Sequence, residues 1–290
     1  MNLNSIVQLL VSGIAMGCVY AMIGIEFTLI FNATGLINFA HDRLVNVAAY
    51  IFGGSFMVGL NLWAPMSILM TLIIMGFMGV LIALCVFNPL KNMRSDIYAV
   101  LGTLLLARIW AELLRIFWGP SNFTVPGWLS GTFKFGSIIV TKSNIIICIV
   151  SVITVVCLVI FMNWTKPGKA MRCVAQNKKA AALMGINVNQ SIAVTTAVSL
   201  IICAIIGILI IPLFNCSLTM AGTIGMKGFC ASVVGGFGYL PGNIVGGIFI
   251  GILENLSILV IPSVYKDIIS FAVMIIFLIV KPSGFLGKRA

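Results

Sequence analysis

Long apolar runs alternate with short polar or Gly/Pro-rich breaks along the whole chain. The runs cover residues 6–30, 44–62, 65–87, 97–118, 144–163, 191–214, 242–261 and 265–281. Most are near the roughly 20 residues that a helix needs to cross the hydrocarbon core of a bilayer. Between them, 31–43 (FNATGLINFAHDR) is mixed and turn-like, and 88–96 (NPLKNMRSD) is polar. Residues 119–136 are rich in Gly, Pro and Ser, with Trp118 and Trp128 nearby, which suits a membrane–water boundary. The longest polar stretch is 164–190, and 216–240 is too glycine-rich for a plain spanning helix.

Composition turns these runs into spans. Apolar residues make up 61% of the 290 and charged ones 8%, against about 25% charged in a soluble domain. With a mean hydropathy of +1.20, the chain cannot cover a water-facing exterior. This excludes an ordinary soluble enzyme, a secreted disulfide scaffold and a disordered chain. The eight cysteines form no CxxC and fall mostly in apolar runs, where they act as small hydrophobes. The opening MNLNS has no basic n-region, and no A-x-A site follows, so the first run is expected to be a retained helix.

Charge sets the expected sidedness. The net charge is +11, and basic residues concentrate in three polar segments. These hold Lys91 and Arg94; Lys166, Lys169, Arg172, Lys178 and Lys179; and Lys281, Lys288 and Arg289. The positive-inside rule places all three on the cytoplasmic side and 119–143 outside. The stretch between 214 and the last span must then cross an even number of times. GLINFAHDR and GTIGMKGFCASVVGG are therefore candidates for paired discontinuous elements, which transporters place along a substrate path. Two simple loops remain the alternative.

Within 164–190, residues Lys169 to Met184 favour a helix opened by Pro167-Gly168 and closed by Gly185. One face of that helix would carry Lys169, Arg172, Gln176 and Lys179. It is too short and polar to span, and it fits either a topology-setting loop or a docking element for a cytoplasmic partner. Gly168-Lys169-Ala170-Met171-Arg172 followed by Leu183-Met184-Gly185-Ile186-Asn187 resembles the coupling loop of ABC importer permeases. GxxxGxxYAMIG (Gly13 to Gly24), GLINFAH (Gly35–His41), GMKGF (Gly225–Phe229), VVGGFGYLPGNIVGG (Val233–Gly247), YKD (Tyr265–Asp267) and PSGFLG (Pro282–Gly287) follow in register. Together these motifs resemble the branched-chain amino acid ABC transporter permease family, most closely the shorter of its two permeases, over nearly the whole chain. The chain departs from the family pattern at Glu26, at Asp42-Arg43 and at Gln176-Asn177.

The resemblance implies one permease domain over residues 1–290, with the ATPase-coupling loop at 164–190. It implies three kinds of partner besides lipid: a second related permease, two cytoplasmic ATPase subunits and an external substrate-binding protein, in a bacterial cytoplasmic membrane. No nucleic acid is expected. The chain has no GxxxxGK[ST], so no cofactor is expected in it and ATP would be hydrolysed by partners. Expected function is translocation of branched-chain or similar apolar amino acids by alternating access. The alternatives are an ABC permease for an amide, urea or a sugar, or an ATP-independent channel or secondary carrier.

Individual residues carry further expectations. Glu26 inside an apolar run must face protein, water or a cation; it lines the path or pairs locally, with Arg43 as a candidate. Glu254 caps a broken helix, bonds a neighbouring helix or lines the cavity. His41, the one histidine, has no metal-ligand spacing around it. With Asn38 it is expected to fix irregular backbone or to lie near the gate. Lys227 is expected to neutralise helix C-terminal carbonyls. Gly13/Gly17, Gly242/Gly246 and Gly247/Gly251 are small-xxx-small packing pairs, either inside the bundle or against the sister permease. The predicted fold is all-α and polytopic, with about eight membrane helices and one or two discontinuous or re-entrant segments.

Overall fold

A computed structural model describes residues 3–90, 96–135 and 138–287. Lys91, Arg94, Lys288 and Arg289 lie outside the described residues. The architecture is helical. α1 (Leu3–Thr34) is followed by α2 (His41–Ala49), which continues as a π-helix over Tyr50–Gly59. Next come α3 (Ala64–Ile82), a π turn (Ala83–Phe87), the short α4 (Asn88–Leu90) and α5 (Asp96–Trp118). A hairpin of β1 (Thr132–Phe135) and β2 (Ile138–Thr141) pairs antiparallel, with Thr132 opposite Thr141. Then follow α6 (Lys142–Trp164), α7 (Lys166–Gln176), α8 (Lys178–Leu183), α9 (Val188–Phe214), α10 (Met220–Gly235), α11 (Leu240–Ser257) and α12 (Lys266–Val280).

Among the described residues, six helical stretches are long and apolar enough to cross a membrane: 5–34, 64–90, 142–164, 188–214, 240–257 and 263–280. The other helices are α2 with its π-helical extension, the charged α5, the short α7 and α8, and the 16-residue α10. The chain is thus an all-α polytopic membrane protein. Three features depart from the sequence reading. The 31–43 break is real but short: Gly35 takes φ +77° and helix resumes at His41. The glycine-rich 216–240 holds a regular 16-residue helix, α10. The Gly/Pro-rich 119–136 runs into a small hairpin, which helical periodicity does not announce.

The chain divides into two compact units. The first comprises residues 1–28, 127–154 and 223–290. Its helices meet through glycine. A Cβ on Gly17 would stand 2.8 Å from Ile248 Cα, and one on Gly247 would stand 2.5 Å from Ala21 N. Gly13 sits on Gly251. Gly242 and Gly246 meet Gly235 and Ala231 at the α10–α11 crossing. The small-residue pairs therefore serve packing within this unit, where close approach replaces the hydrophobic drive that lipid cannot supply. Where the helices touch, Asn243 Nδ2 donates to Thr28 Oγ1 at 2.8 Å, and Ser232 Oγ donates to Asn243 Oδ1 at 2.8 Å. The end of α10 is closed by the PSGFLG segment. Phe285 N donates to Val234 O and Leu286 N to Gly235 O, so these carbonyls need no lysine.

The second unit comprises residues 29–126 and 155–222. α9 is its centre: 61% of its apolar window is buried, against 6% for the 263–280 stretch of the first unit. Gly79 of α3 and Gly207 of α9 permit close crossings; their added Cβ atoms would meet Ala197 Cα and Val45 O at 2.6 Å. Tyr50 packs edge-on against Trp118 and Phe123. Phe123 also exchanges backbone hydrogen bonds with Cys216, which fixes the linker after α9.

Candidate functional site

The basic segment is two short helices rather than one. Thr165 caps α7, accepting from Gly168 N at 3.1 Å, with Pro167 in the first turn. Asn177 breaks the helix at φ −158° and ψ 106°, and its Oδ1 caps α8 by accepting from Ala180 N at 3.0 Å. The favourable propensity of 169–184 loses to this local cap, because Asn bonds nearby backbone outside a helix. Lys179 consequently lies on α8, and the single face of Lys169, Arg172, Gln176 and Lys179 does not form. Gly185, at φ +82°, ends α8, and Ile186 N returns to Ala181 O at 3.0 Å. Asn187 then caps α9 through Gln190 N.

This stub is anchored on one side and bare on the other. Gly168, Met171, Val174 and Ala181 are buried, and Gly168 lies directly on Phe161 O. Arg172 Nη1 donates to Asn163 Oδ1 at 2.8 Å, and Lys178 Nζ to Thr34 O at 2.6 Å. Lys169 and Gln176 are exposed, and Leu183 and Met184 are 90% and 83% exposed. Beside them a cleft of about 350 Å³ is lined by Lys166, Pro167, Ala170, Ile186, Asn187 and Gln190. Residues 164–190 hold five basic side chains and no acidic one. The result is a capped, cationic knob with a groove and two bare apolar side chains.

The path candidates are all buried: Glu26 and Asn38 at 0% exposure, His41 and Glu254 at 1%. Asn38 and His41 share the break before α2. Asn38 Oδ1 accepts from Ala40 N at 3.0 Å, while its Nδ2 is buried without a partner among the described residues. His41 Nδ1 lies 3.6 Å from Cys203 Sγ. Arg43 Nε stands 3.2 Å from Asp42 Oδ2, and its Nη1 donates to Leu218 O at 2.7 Å.

Glu254 belongs to a buried ion-pair network in the first unit. Lys227 Nζ is 2.7 Å from Glu254 Oε1 and 2.6 Å from Asp267 Oδ1. Lys266 Nζ approaches the same Glu254 oxygen at 3.4 Å. Tyr20 donates to Glu254 Oε2 at 2.9 Å, with Ser270 on the same oxygen. Lys227 thus neutralises carboxylates, and not the helix carbonyls expected of it. Glu254 bonds neighbouring helices. The sequence reading passed over Tyr20, Lys266, Asp267 and Ser270 as site residues. The hint lay in charge: Glu254 and Asp267, two of the six acidic residues in the chain, fall in its last third together with Lys227 and Lys266.

Comparisons with known proteins agree over this length. The family model described as "Branched-chain amino acid transport system / permease component" matches residues 9–278. The high-affinity branched-chain amino acid transport permease LivH of Salmonella typhimurium is 29% identical, with 97% of this chain and 95% of that one covered. BraD of Pseudomonas aeruginosa is 27% identical over the same shares. A probable LivH permease of Methanocaldococcus jannaschii is 25% identical, covering 92% and 88%. Among solved structures, a chain of PsaBC from Streptococcus pneumoniae in complex with Fab aligns with a TM-score of 0.43 at 14% identity, covering 97% and 91%. With most of its length under one family model, and with its motifs on the packed glycines, the stub and the α10 end, the chain belongs to the branched-chain amino acid transport permease family.

Proposed function

We propose that this permease is the membrane subunit of an ABC importer that moves branched-chain or similar apolar amino acids into a bacterial cytoplasm. It pairs in the cytoplasmic membrane with a second, related permease. Two ATPase subunits dock on α7–α8 and an external binding protein delivers the substrate. The chain performs no covalent chemistry; ATP is bound and hydrolysed by the partners. The observation that carries the reading is the stub: a capped, basic, acid-free helix pair beside a cleft, within a chain whose relatives are named for branched-chain amino acid transport.

The mechanism follows from how the stub is fixed. Lys178 ties α8 to the end of α1, Gly168 presses α7 onto α6, and Asn187 joins the stub to α9. A push on the exposed face is passed to three membrane helices instead of being absorbed by a flexible loop. ATPase closure then tilts these helices and alternates access to the path. Glu26, Asn38 and His41 are path-lining candidates, whereas Glu254 is held by its ion pairs.

The test is uptake of a panel of amino acids into proteoliposomes holding the whole importer, with and without nucleotide and binding protein. Uptake of leucine, isoleucine or valine that requires both supports the reading. Ion-driven uptake by this chain alone, or selective import of urea, an amide or a sugar, overturns it. Gly185→Val or Arg172→Glu is expected to leave membrane insertion intact while separating ATP hydrolysis from uptake. Full coupling in both variants removes the stub from the mechanism.

A further inference from the structure

An ion pair stands well inside the span of the second unit, beside open space. The stub end of this unit is marked by Lys178 bonded to Thr34 O. His41 lies against Cys203, fifteen residues beyond the first residue of α9, or about 22 Å along the helix axis at 1.5 Å per residue. Asn32 and Ala33 at the end of α1 share a pocket with Thr195, eight residues before Cys203 on α9, so residues 35–40 climb about 12 Å along that axis without helix, and α2 begins there. Asp42 and Arg43 form its first turn.

The start of α10 is brought to the same place. Asn46 of α2 donates from Nδ2 to Leu218 O at 2.7 Å and accepts at Oδ1 from Ala221 N at 3.2 Å. Arg43 Nη1 adds a second bond to Leu218 O. Two helix N-terminal ends, both positive in their dipoles, are thus held side by side. Gly222, in the first turn of α10, faces Asp42: a Cβ there would meet only Asp42 Oδ2, at 3.9 Å. The side chains of Arg43 and Asp42 remain 26% and 23% exposed. Charges exposed at this depth cannot face lipid; they face the interior of the assembled bundle or a water-filled path. Arg43 has five donors and spends two of its side-chain nitrogens on Asp42 and Leu218, which leaves Nη2 without a partner among the described residues. Asp42 Oδ1 accepts only from the adjacent Arg43 N–H, at 2.8 Å, among the described residues.

We propose that the Asp42–Arg43 pair, next to Gly222, is a transit site for the charged head of a free α-amino acid. The ammonium group rests on Asp42, and the carboxylate rests on Arg43 and the positive start of α10. This rests on the amino-acid reading above and deepens it: the site requires a zwitterion, where the apolar path walls alone would pass any small apolar solute. The internal pair keeps both charges matched when the site is empty, and a zwitterion exchanges for that pair without changing the net charge.

The test uses the reconstituted importer with its binding protein. Asp42→Asn and Arg43→Gln are each expected to lower leucine import at least tenfold. The variant chains should still co-purify with the ATPase subunits as the wild type does, which shows that the complex assembles. Arg43→Lys should retain an intermediate rate. The thiol introduced by Gly222→Cys should react with a small methanethiosulfonate during turnover, and leucine should slow that reaction. Leucine import at the wild-type rate in both charge variants, or no slowing by leucine, overturns the site. If the charge variants fail to assemble, the thiol measurement alone decides. A wild-type importer that carries no amino acid at all overturns the functional reading and this site with it; wild-type leucine import with unaffected variants overturns only the site.

Discussion

At the scale of residues, the Lys227 network is a costly arrangement, because it buries charge in the first unit. Lys227 and Glu254 have side chains only 5% and 2% exposed, whereas Asp267 and Lys266 are 40% and 39% exposed. Removing one partner of a buried pair costs about 3–5 kcal/mol because the other charge is stranded. The two partners are not stranded equally. Lys227→Met leaves the Glu254 charge with Tyr20 and Ser270 as neutral donors and the half-exposed Lys266, at 3.4 Å, as its cation among the described residues. Glu254→Gln leaves Lys227 with Asp267 at 2.6 Å, and the amide oxygen still accepts from Tyr20. Lys227→Met is therefore expected to lower the thermal unfolding midpoint in detergent by more than Glu254→Gln does. The reverse order would show that Glu254, not Lys227, anchors the network. This network was poorly legible in the sequence. A lone Glu in an apolar run announces that a partner exists, but its partners come from three other helices, and no spacing rule links Tyr20 to Lys227 and Ser270.

At the scale of elements, the glycines divide into those that set a helix crossing and those that merely occupy a helix. Gly17 sits against backbone: a Cβ would stand 2.8 Å from Ile248 Cα and 2.9 Å from Gly247 O. Gly76 of α3 sits against the tip of Ile201, 3.4 Å away, which can turn aside. Gly17→Ala should force α1 and α11 apart and lower the unfolding midpoint by several degrees. Gly76→Ala should be neutral or raise it slightly, since a helical glycine carries an entropic cost of about 0.5–1 kcal/mol relative to alanine. Equal loss in both would mean that α3 packs as rigidly as α1. Element existence was largely legible, because apolar runs of spanning length have few alternatives in lipid. The errors fall where glycine has two meanings. In 216–240 the glycines suggested broken backbone, but α10 uses Gly228 and Gly235 to bring Ile23 and Gly242 close while staying helical. The π-helix over Tyr50–Gly59 had no sequence signal, since π geometry is rare and has no marked residue pattern.

At the scale of the whole molecule, the orientation in the membrane is the inference that joins stub, path and partners, and it rests on charge placement alone. The five basic residues of 164–190 set one side, and the hairpin of β1 and β2 lies on the far end of α6 from them. α6 runs from Lys142, at the hairpin, to Trp164, at the stub, and 23 residues at 1.5 Å each cover about 35 Å, enough to cross the hydrocarbon core. The two ends must therefore face opposite compartments. A native probe exists on the stub: Cys173 is an exposed thiol on α7. In a variant keeping only that cysteine, a membrane-impermeant maleimide should label inside-out vesicles and leave intact cells unlabelled. Thr132→Cys, made in a cysteine-free background, should show the opposite pattern. Labelling of Cys173 from outside would put the basic knob where no ATPase can reach it. The docking element, the direction of import and the depth assigned to Asp42–Arg43 relative to the cytoplasm would then all have to be reversed together, because each is measured from that end of α9.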